Sequence, residues 1–250
     1  MKLEGKVAVV TGSGRGIGRA IAEMFAREGA KVVVTARTER EIEGVAEQIR
    51  TLGGEAIPVQ TDIAKDDDVV RLLKQTISAF GQLDVLVNNA AANHPPTDVV
   101  DMTAETWRQV IDVNLNGPFL CAHAALPHMI ERKTGKIINI SSIGGRQGGR
   151  GRGAYRASKA ALISFTETLA AEVYEHGIRV NCICPGGVET EMMRQITQGN
   201  VPSNLMHPDE IARVALFLAS DDGSAVTGTA VDAFGASNPL FQSAWRAPRR

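Results

Sequence analysis

The stretch that most narrows the folds open to this chain lies near its start. Val7 to Val10 is a short apolar run, and Thr11-Gly12-Ser13-Gly14-Arg15-Gly16-Ile17-Gly18 follows at once. Arg19 to Glu28 then places apolar residues at helical spacing and stops before Gly29, a residue suited to the C′ position. Lys31 to Thr35 is β-branched and predicts a buried strand. Strand, glycine-rich turn, helix and strand in this order form the unit whose turn and helix N-terminus hold a phosphate. The strict G-x-G-x-x-G fingerprint is not met: its third glycine falls on Ile17 or Arg19, and the spacing is Gly12, Gly16, Gly18 with Gly14 extra. The strand and helix context therefore carries the reading more than the pattern does. So many glycines cost chain entropy that a ligand would offset; a turn with no ligand is the plainer alternative.

The alternation continues along the chain. A polar helix from Glu39 to Leu52 precedes a strand from Ala56 to Val59 that ends in Thr61-Asp62-Ile63. A helix from Asp66 to Phe80 leads to a strand from Leu83 to Val87 that ends in Asn88-Asn89-Ala90-Ala91. Asp98 to Arg132 reads as a long helix, and Gly117-Pro118 inside it predicts a kink or break near Asn114. Lys136 to Ile140 is a fifth strand running into Ser141-Ser142, and Ala154 to Tyr174 a helix. Arg179 to Cys184 is a sixth strand, Pro208 to Ala219 a helix and Thr227 to Ala233 a last strand. The expected fold is α/β: a single doubly wound Rossmann-type parallel sheet flanked by helices on both faces. Residues 1–250 are expected to form one domain. Ligands of such sheets sit beyond the carboxyl ends of the strands, where Gly12, Arg37, Asp62 and Asn89 all fall.

Composition bounds the partners. Lys and Arg total 27 against 28 Asp and Glu, a net charge of −1, which argues against nucleic-acid binding. The basic tail from Trp245 to Arg250 suits a subunit interface better. No apolar run has membrane-spanning length, and the N-terminus lacks the build of a signal peptide. Three cysteines give no disulfide framework and suit a reducing compartment, so a soluble cytoplasmic protein is expected. Cys182 and Cys184 read as small buried hydrophobes, His123 and His128 as structural, and His94 as a residue placed to line the pocket. No cluster has metal-ligand spacing, so no metal is expected.

At the end of the second strand stand Ala36 and Arg37. Dinucleotide sites carry Asp or Glu there for a ribose 2′-hydroxyl and Arg for a 2′-phosphate. Arg37, with Arg15 in the turn, favours NADP over NAD; a solvated charge at a strand end is the plainer reading. Tyr155-Arg156-Ala157-Ser158-Lys159 sets a phenol and an ammonium on one helix face. Lowering a phenol from about pH 10 to about 7 needs about 4 kcal/mol, more than one lysine supplies. A second positive charge, such as an oxidised nicotinamide ring, would help. Between Ser142 and Tyr155 a glycine-rich loop carries Arg146, Arg150 and Arg152. It either attracts an anionic substrate, a carboxylate, a phosphate or an acyl chain on an acidic carrier, or is a solvated loop or subunit contact.

In order and spacing, Thr11-Gly12-x-x-x-Gly16-Ile17-Gly18, Asp62, Asn88-Asn89-Ala90, Asn114, Ser142, Tyr155-x-x-x-Lys159 and Pro185-Gly186-x-x-x-Thr190 resemble the short-chain dehydrogenase/reductase family over essentially the whole chain. The beta-ketoacyl carrier-protein reductase-like members are the ones it is similar to. The resemblance implies that Tyr155 passes a proton to or from the substrate oxygen and that Ser142 holds that oxygen. It implies that Lys159 binds the nicotinamide ribose and lowers the tyrosine pKa, and that Asn114 helps route a water-borne proton path to that lysine. Gly12, Ser13, Arg15, Gly16, Ile17, Gly18 and Arg37 would bind the cofactor, Asp62 and Ile63 its adenine, and Asn89 and Ala90 the adenosine ribose. Tyr155, Lys159, Pro185, Gly186, Val188 and Thr190 would serve the nicotinamide and pyrophosphate side. The implied reaction is NAD(P)-dependent hydride transfer, NADP favoured, with a small-molecule carbonyl or secondary alcohol. A 3-oxoacyl carrier-protein reductase is the alternative and a non-catalytic NADP-binding sensor a remote one. A homotetramer using the long helices and the C-terminal strand is implied as well. Three departures stand out: Ala91 where the family has glycine, Ala233-Phe234 where Gly-Gly is common, and a short lid over 190–208.

Overall fold

The computed structural model describes residues 1–197, 199–200 and 202–239. Its strands are β1 (Val7–Thr11), β2 (Lys31–Ala36), β3 (Glu55–Gln60), β4 (Val85–Asn88), β5 (Gly135–Ile140), β6 (Ile178–Pro185) and β7 (Ala230–Ala233). They form one sheet in the order β3-β2-β1-β4-β5-β6-β7, and every pairing is parallel. The order reverses between β1 and β4, which lie side by side with Val9 opposite Leu86. The helices are α1 (Gly16–Arg27), α2 (Glu39–Thr51), α3 (Asp66–Phe80), α4 (Ala104–Ile111), α5 (Gly117–Arg132), α6 (Gly153–Val173), α7 (Glu191–Ile196) and α8 (Pro208–Ala219). Among the described residues no helix is long and apolar enough to cross a membrane.

Strand alternation splits the core in two. Ala8 and Val10 of β1 join Ile21 and Phe25 of α1, Ile42 of α2 and Ile211 of α8 on one face. Val9 and Val33 join Leu72 of α3, Met129 of α5 and Leu169 of α6 on the other. Strands covered on both faces are largely apolar, which is why β1, β2 and β4 read as Val-rich runs. The doubly wound parallel sheet expected from the sequence is the one observed.

Where element boundaries differ from the expected ones, side chains have taken over backbone partners. β4 starts at Val85; just before it the Asp84 carboxylate accepts from Val7 N (2.8 Å) and Arg132 Nη1 (3.1 Å), while the Asp84 backbone bonds Val7 O and Lys136 N. His128 Nε2 accepts from Leu83 N beside it at 3.2 Å. β7 starts at Ala230 rather than Thr227, since Thr227 offers Val180 N its hydroxyl and Gly228 turns with φ +68°. The long helix expected over Asp98 to Arg132 is broken as the sequence predicts: a 3-10 turn at Val99–Asp101, then α4, a π turn at Asp112–Asn116, then α5. Pro118 lacks an N–H and its ring crowds the carbonyl four residues back, that of Asn114, which the wider turn relieves. Helix α7 in the lid was not expected; Thr190 caps it by accepting from Met193 N at 3.2 Å. The basic tail from Trp245 to Arg250 lies outside the described residues.

Gly18 on α1 is packed so closely that a Cβ would run into Asn89 Nδ2 and the Gly12 carbonyl, whereas one at Gly44 on α2 meets nothing within 4 Å. Gly18→Ala is therefore expected to cost about 1–3 kcal/mol through overpacking, a fall of about 2–4 °C per kcal/mol. Gly44→Ala should instead raise stability by about 0.5–1 kcal/mol. Thermal unfolding of the two variants checks the opposite signs.

Candidate active site

The carboxyl ends of the strands open onto a cleft of about 680 Å³ that meets residues from β1 through the lid. Its floor is the seam between β1 and β4. Thr11 Oγ1 accepts from Asn89 N and Ala90 N, each at 3.0 Å, and donates to Val87 O at 3.2 Å. Asn89 Nδ2 returns bonds to Thr11 O (2.8 Å) and Gly12 O (3.2 Å). The glycine turn is held against this seam. Gly12 has φ +65°, and a Cβ there would come within 2.7 Å of Ala90 Cα. Gly16, also left-handed at φ +58°, starts α1. Helix α1 has neither a side-chain cap nor an acidic residue in its first turn, so its leading N–H groups and dipole suit an anion.

Most residues singled out in the sequence line this cleft: Gly12, Arg15, Gly16, Ile17, Arg37, Asp62, Ile63, Asn89 and Ala90 on one side, and Ser142, Tyr155, Lys159, Pro185, Gly186, Val188 and Thr190 on the other. Ser13 and Gly18 do not. Ser13 is buried behind the turn, where its hydroxyl donates to Val10 O (2.6 Å) and accepts from Thr35 N (2.9 Å). Gly18 is the buried surface on which Asn89 rests. His94 is likewise turned away from the cleft, with Nδ1 2.7 Å from Pro95 O. Arg15 and Arg37 are exposed; Arg15 lies 3.9 Å from Glu41, a cleft residue the sequence did not single out.

The second half of the site sits where α6 meets β5. Ser141 Oγ donates to the Lys159 carbonyl and Lys159 Nζ donates to the Ile140 carbonyl, both at 2.7 Å. These bonds fix α6 against the strand end and set Lys159 Nζ 5.9 Å from the Tyr155 ring centroid. Lys159 is 2% exposed, and its burial lowers the ammonium pKa to about 8. Burial acts on Tyr155 too and raises the phenol above its usual value, while the nearby Ser142 hydroxyl, and then Arg152 and Arg156, pull it down. The expected lowering of the tyrosine by Lys159 is thus not what the protein groups alone produce: desolvation outweighs them.

Asn114 is buried in the π turn and stays out of the cleft. Its Nδ2 donates to Ala92 O (3.0 Å) and Ser158 Oγ (3.1 Å), and its Oδ1 accepts from Ala92 N (2.7 Å). Ser158 Oγ in turn donates to the Tyr155 carbonyl at 2.7 Å. The side chain therefore joins the loop after β4 to the turn of α6 that carries the tyrosine. Among residues given no role from sequence, Thr11, Asn93 and Ser141 act through partners far along the chain, which spacing does not reveal. Two of them had a visible signal: Thr11 opens the glycine-turn motif, and Ser141 is the other member of the serine pair.

Comparison with known proteins matches the arrangement. The family described as short chain dehydrogenase matches residues 6–201. A 3-oxoacyl-[acyl-carrier-protein] reductase of Synechocystis sp. is 40% identical over 90% of this chain and 94% of its own length. One from Thermotoga maritima is 36% identical over 92% and 97%. The crystal structure of a 3-ketoacyl-(acyl-carrier-protein) reductase from Brucella melitensis complexed with NADH superposes with a TM-score of 0.89 at 35% identity, covering 94% of this chain and 99% of that one.

Thr11→Val keeps the shape of the residue but removes the hydroxyl that serves two backbone donors. The expected loss is about 1–3 kcal/mol for leaving them unpaired, read by denaturant unfolding. An unchanged midpoint would show that the seam does not depend on this hydroxyl.

Proposed function

The chain belongs to the short chain dehydrogenase family, and on that premise we propose that it is an NADP-dependent oxidoreductase acting between a carbonyl and a secondary alcohol. The observation that carries the reading is the convergence of Ser142, Tyr155 and Lys159 on one wall of a cleft whose other end is an uncapped helix N-terminus behind a glycine turn. That turn fits a dinucleotide: its glycines leave room where a Cβ would collide, and the leading N–H groups of α1 suit a pyrophosphate. When bound, the nicotinamide cofactor supplies or accepts the hydride.

The protein handles the proton and the geometry. Tyr155 gives its phenolic proton to the substrate oxygen in reduction and takes one back in oxidation. Ser142 Oγ holds the same oxygen. Lys159 spends one of its three N–H donors on Ile140 O; the others serve the ribose, and its charge favours phenolate. The side chain of Asn114 is occupied by Ala92 and Ser158, so a proton route past it to Lys159 runs by its backbone. Ser13 and Gly18 shape the turn from behind, while Ile17, Asp62, Ile63, Asn89, Ala90, Pro185, Gly186, Val188 and Thr190 line the cofactor's path.

Arg15 and Arg37 favour a 2′-phosphate, and Arg15 also offsets the carboxylate of Glu41. Residues 1–250 act as one domain. Trp107 on α4 (39% exposed) and Phe119 on α5 (49%) leave apolar surface that supports burial between copies in a homotetramer. Three buried free thiols suit the cytoplasm. A second reading, reduction of 3-oxoacyl groups on a carrier protein, is supported by the names of the relatives. A panel of ketoacyl thioesters, sugars and small ketones with both cofactors separates the two.

Tyr155→Phe should lower turnover by about 10²–10⁴ while NADPH binding, followed by its fluorescence, persists; Lys159→Ala should damage both. Retained turnover in Tyr155→Phe would remove the proposed proton donor. Arg37→Ala should raise the KM for NADPH by about 10–100-fold, the worth of a charged hydrogen bond, and leave that for NADH nearly unchanged. A wild-type preference for NADH would overturn the cofactor assignment.

A further inference from the structure

Two of the three arginines on the loop between Ser142 and Tyr155 already have acidic partners. Arg146 Nε lies 2.7 Å from Asp232, and its Nη2 donates to Ala230 O at 2.7 Å. Arg150 holds the Asp98 carboxylate at 2.6 Å. Arg152 differs. It has no acidic partner among the described residues; its Nη1 donates to Asn93 Oδ1, a neutral acceptor, at 2.8 Å. It is half-buried on the cleft wall, just ahead of Tyr155 on the chain, with its guanidinium carbon 5.8 Å from the tyrosine ring centroid. Neighbouring Arg156 is occupied by the carbonyls of Gln147 and Gly148. The acids that line the cleft face elsewhere: Glu41 toward Arg15, Asp62 toward Ala64 N and Glu191 toward Arg194.

Burial leaves this cation poorly compensated and holds its pKa below the usual guanidinium value. Its neighbour is also incomplete. Asn93 Oδ1 accepts from Arg152 Nη1 and from His94 N (2.9 Å), and its Nδ2 is a buried donor with no partner. Both residues are fixed in advance. Thr97 N donates to Gly151 O at 2.9 Å, so the loop after β4 is stitched to the loop before α6, and the Arg150–Asp98 pair closes the stitch from outside. Gly151, at φ +75°, makes the turn that brings Arg152 inward. Helix α6 begins there with no side-chain cap and no acid in its first turn.

We infer that Arg152, supported by Asn93, binds a carboxylate that the substrate carries a few bonds from its reacting carbonyl, so that short oxo acids and the matching hydroxy acids are the preferred substrates. The inference rests on the oxidoreductase reading above and names its substrate class. A guanidinium has five N–H donors in a planar fork, and a carboxylate accepts two of them side by side. That pairing returns to the buried cation the countercharge it lacks. An ester or a simple ketone returns only a weak dipole, and the distance from Arg152 to the Tyr155 ring sets how near the carboxylate must be to the oxygen that the phenol meets.

The test compares acetoacetate with methyl acetoacetate as substrates for NADPH-dependent reduction by the full chain, with malonate as a non-reducible probe. Wild type should favour the acid. Arg152→Gln should lower kcat/KM for acetoacetate by about 10–100-fold, mainly through KM, and that for the ester by far less. Malonate binding to the NADPH-loaded protein, measured by calorimetry, should weaken to the same degree. Arg146→Gln, whose partner is Asp232 and which takes no part in the stitch, should change neither the acid-to-ester preference nor malonate binding. If the ester is reduced as well as the acid, or if Arg152→Gln lowers both equally with malonate binding unchanged, the carboxylate assignment is overturned and the oxidoreductase reading stands. If neither compound is reduced and malonate binds no more tightly to wild type than to Arg152→Gln, both fall.

Discussion

Two parallel strands side by side, with their following chains leaving toward opposite faces, would part at their carboxyl ends unless something held them. Here Thr11 and Asn89 do so. One hydroxyl takes two backbone donors of the neighbouring strand's end, and one amide returns bonds to two carbonyls of the first. Each bond contributes only about 0.5–1.5 kcal/mol, but they sit at the single place where the strand order reverses. The path of the glycine turn, the close seat of Gly18 under Asn89 and the direction in which α1 points all follow from that seam. A parallel sheet of this order supplies a crevice by topology alone; the clamp gives the crevice a fixed floor.

The other wall is set by a buried polar relay. Asn88 on β4 donates to Asn139 on β5, which donates to Thr166 on α6, each at 2.9 Å. Farther along, Ser141 Oγ donates to the Lys159 carbonyl and Lys159 Nζ to the Ile140 carbonyl across the same interface. An apolar interface alone would tolerate a helix sliding by a fraction of a turn. A chain of buried amides and hydroxyls does not, because each slip leaves donors without acceptors in a medium where that is costly. The rotation of α6, and with it the side to which Tyr155 and Lys159 turn, is thereby specified.

The order of strands and helices was legible because the sheet is covered on both faces, so Val and Ile runs and the glycines between them mark the elements directly. The π turn was legible as a break, from Gly117-Pro118, but not in kind. Helix α7 escaped because six residues carry little periodicity. At the site, the family resemblance implied roles for Ser13, Gly18 and Asn114 but did not show which way each one turns. Ser13 faces β2, Gly18 faces Asn89, and Asn114 faces the loop after β4. The arginine loop shows the same limit: three similar residues in one stretch separate only when Asp98, Asp232 and Asn93, remote in sequence, are brought beside them.

The rim of the sheet opposite the cleft is organised for a different purpose. There Asp84 holds Val7 N and Arg132, His128 serves Leu83, and Lys136 Nζ donates to the carbonyls of Ala219 (2.9 Å) and Ser220 (2.6 Å). Those contacts join strand starts to helix ends and touch none of the residues that line the cleft. The contacts that tie strand starts to helix ends and the residues that line the cleft thus lie at opposite edges of one sheet. A change of loop at the carboxyl edge therefore leaves every one of these amino-edge contacts in place.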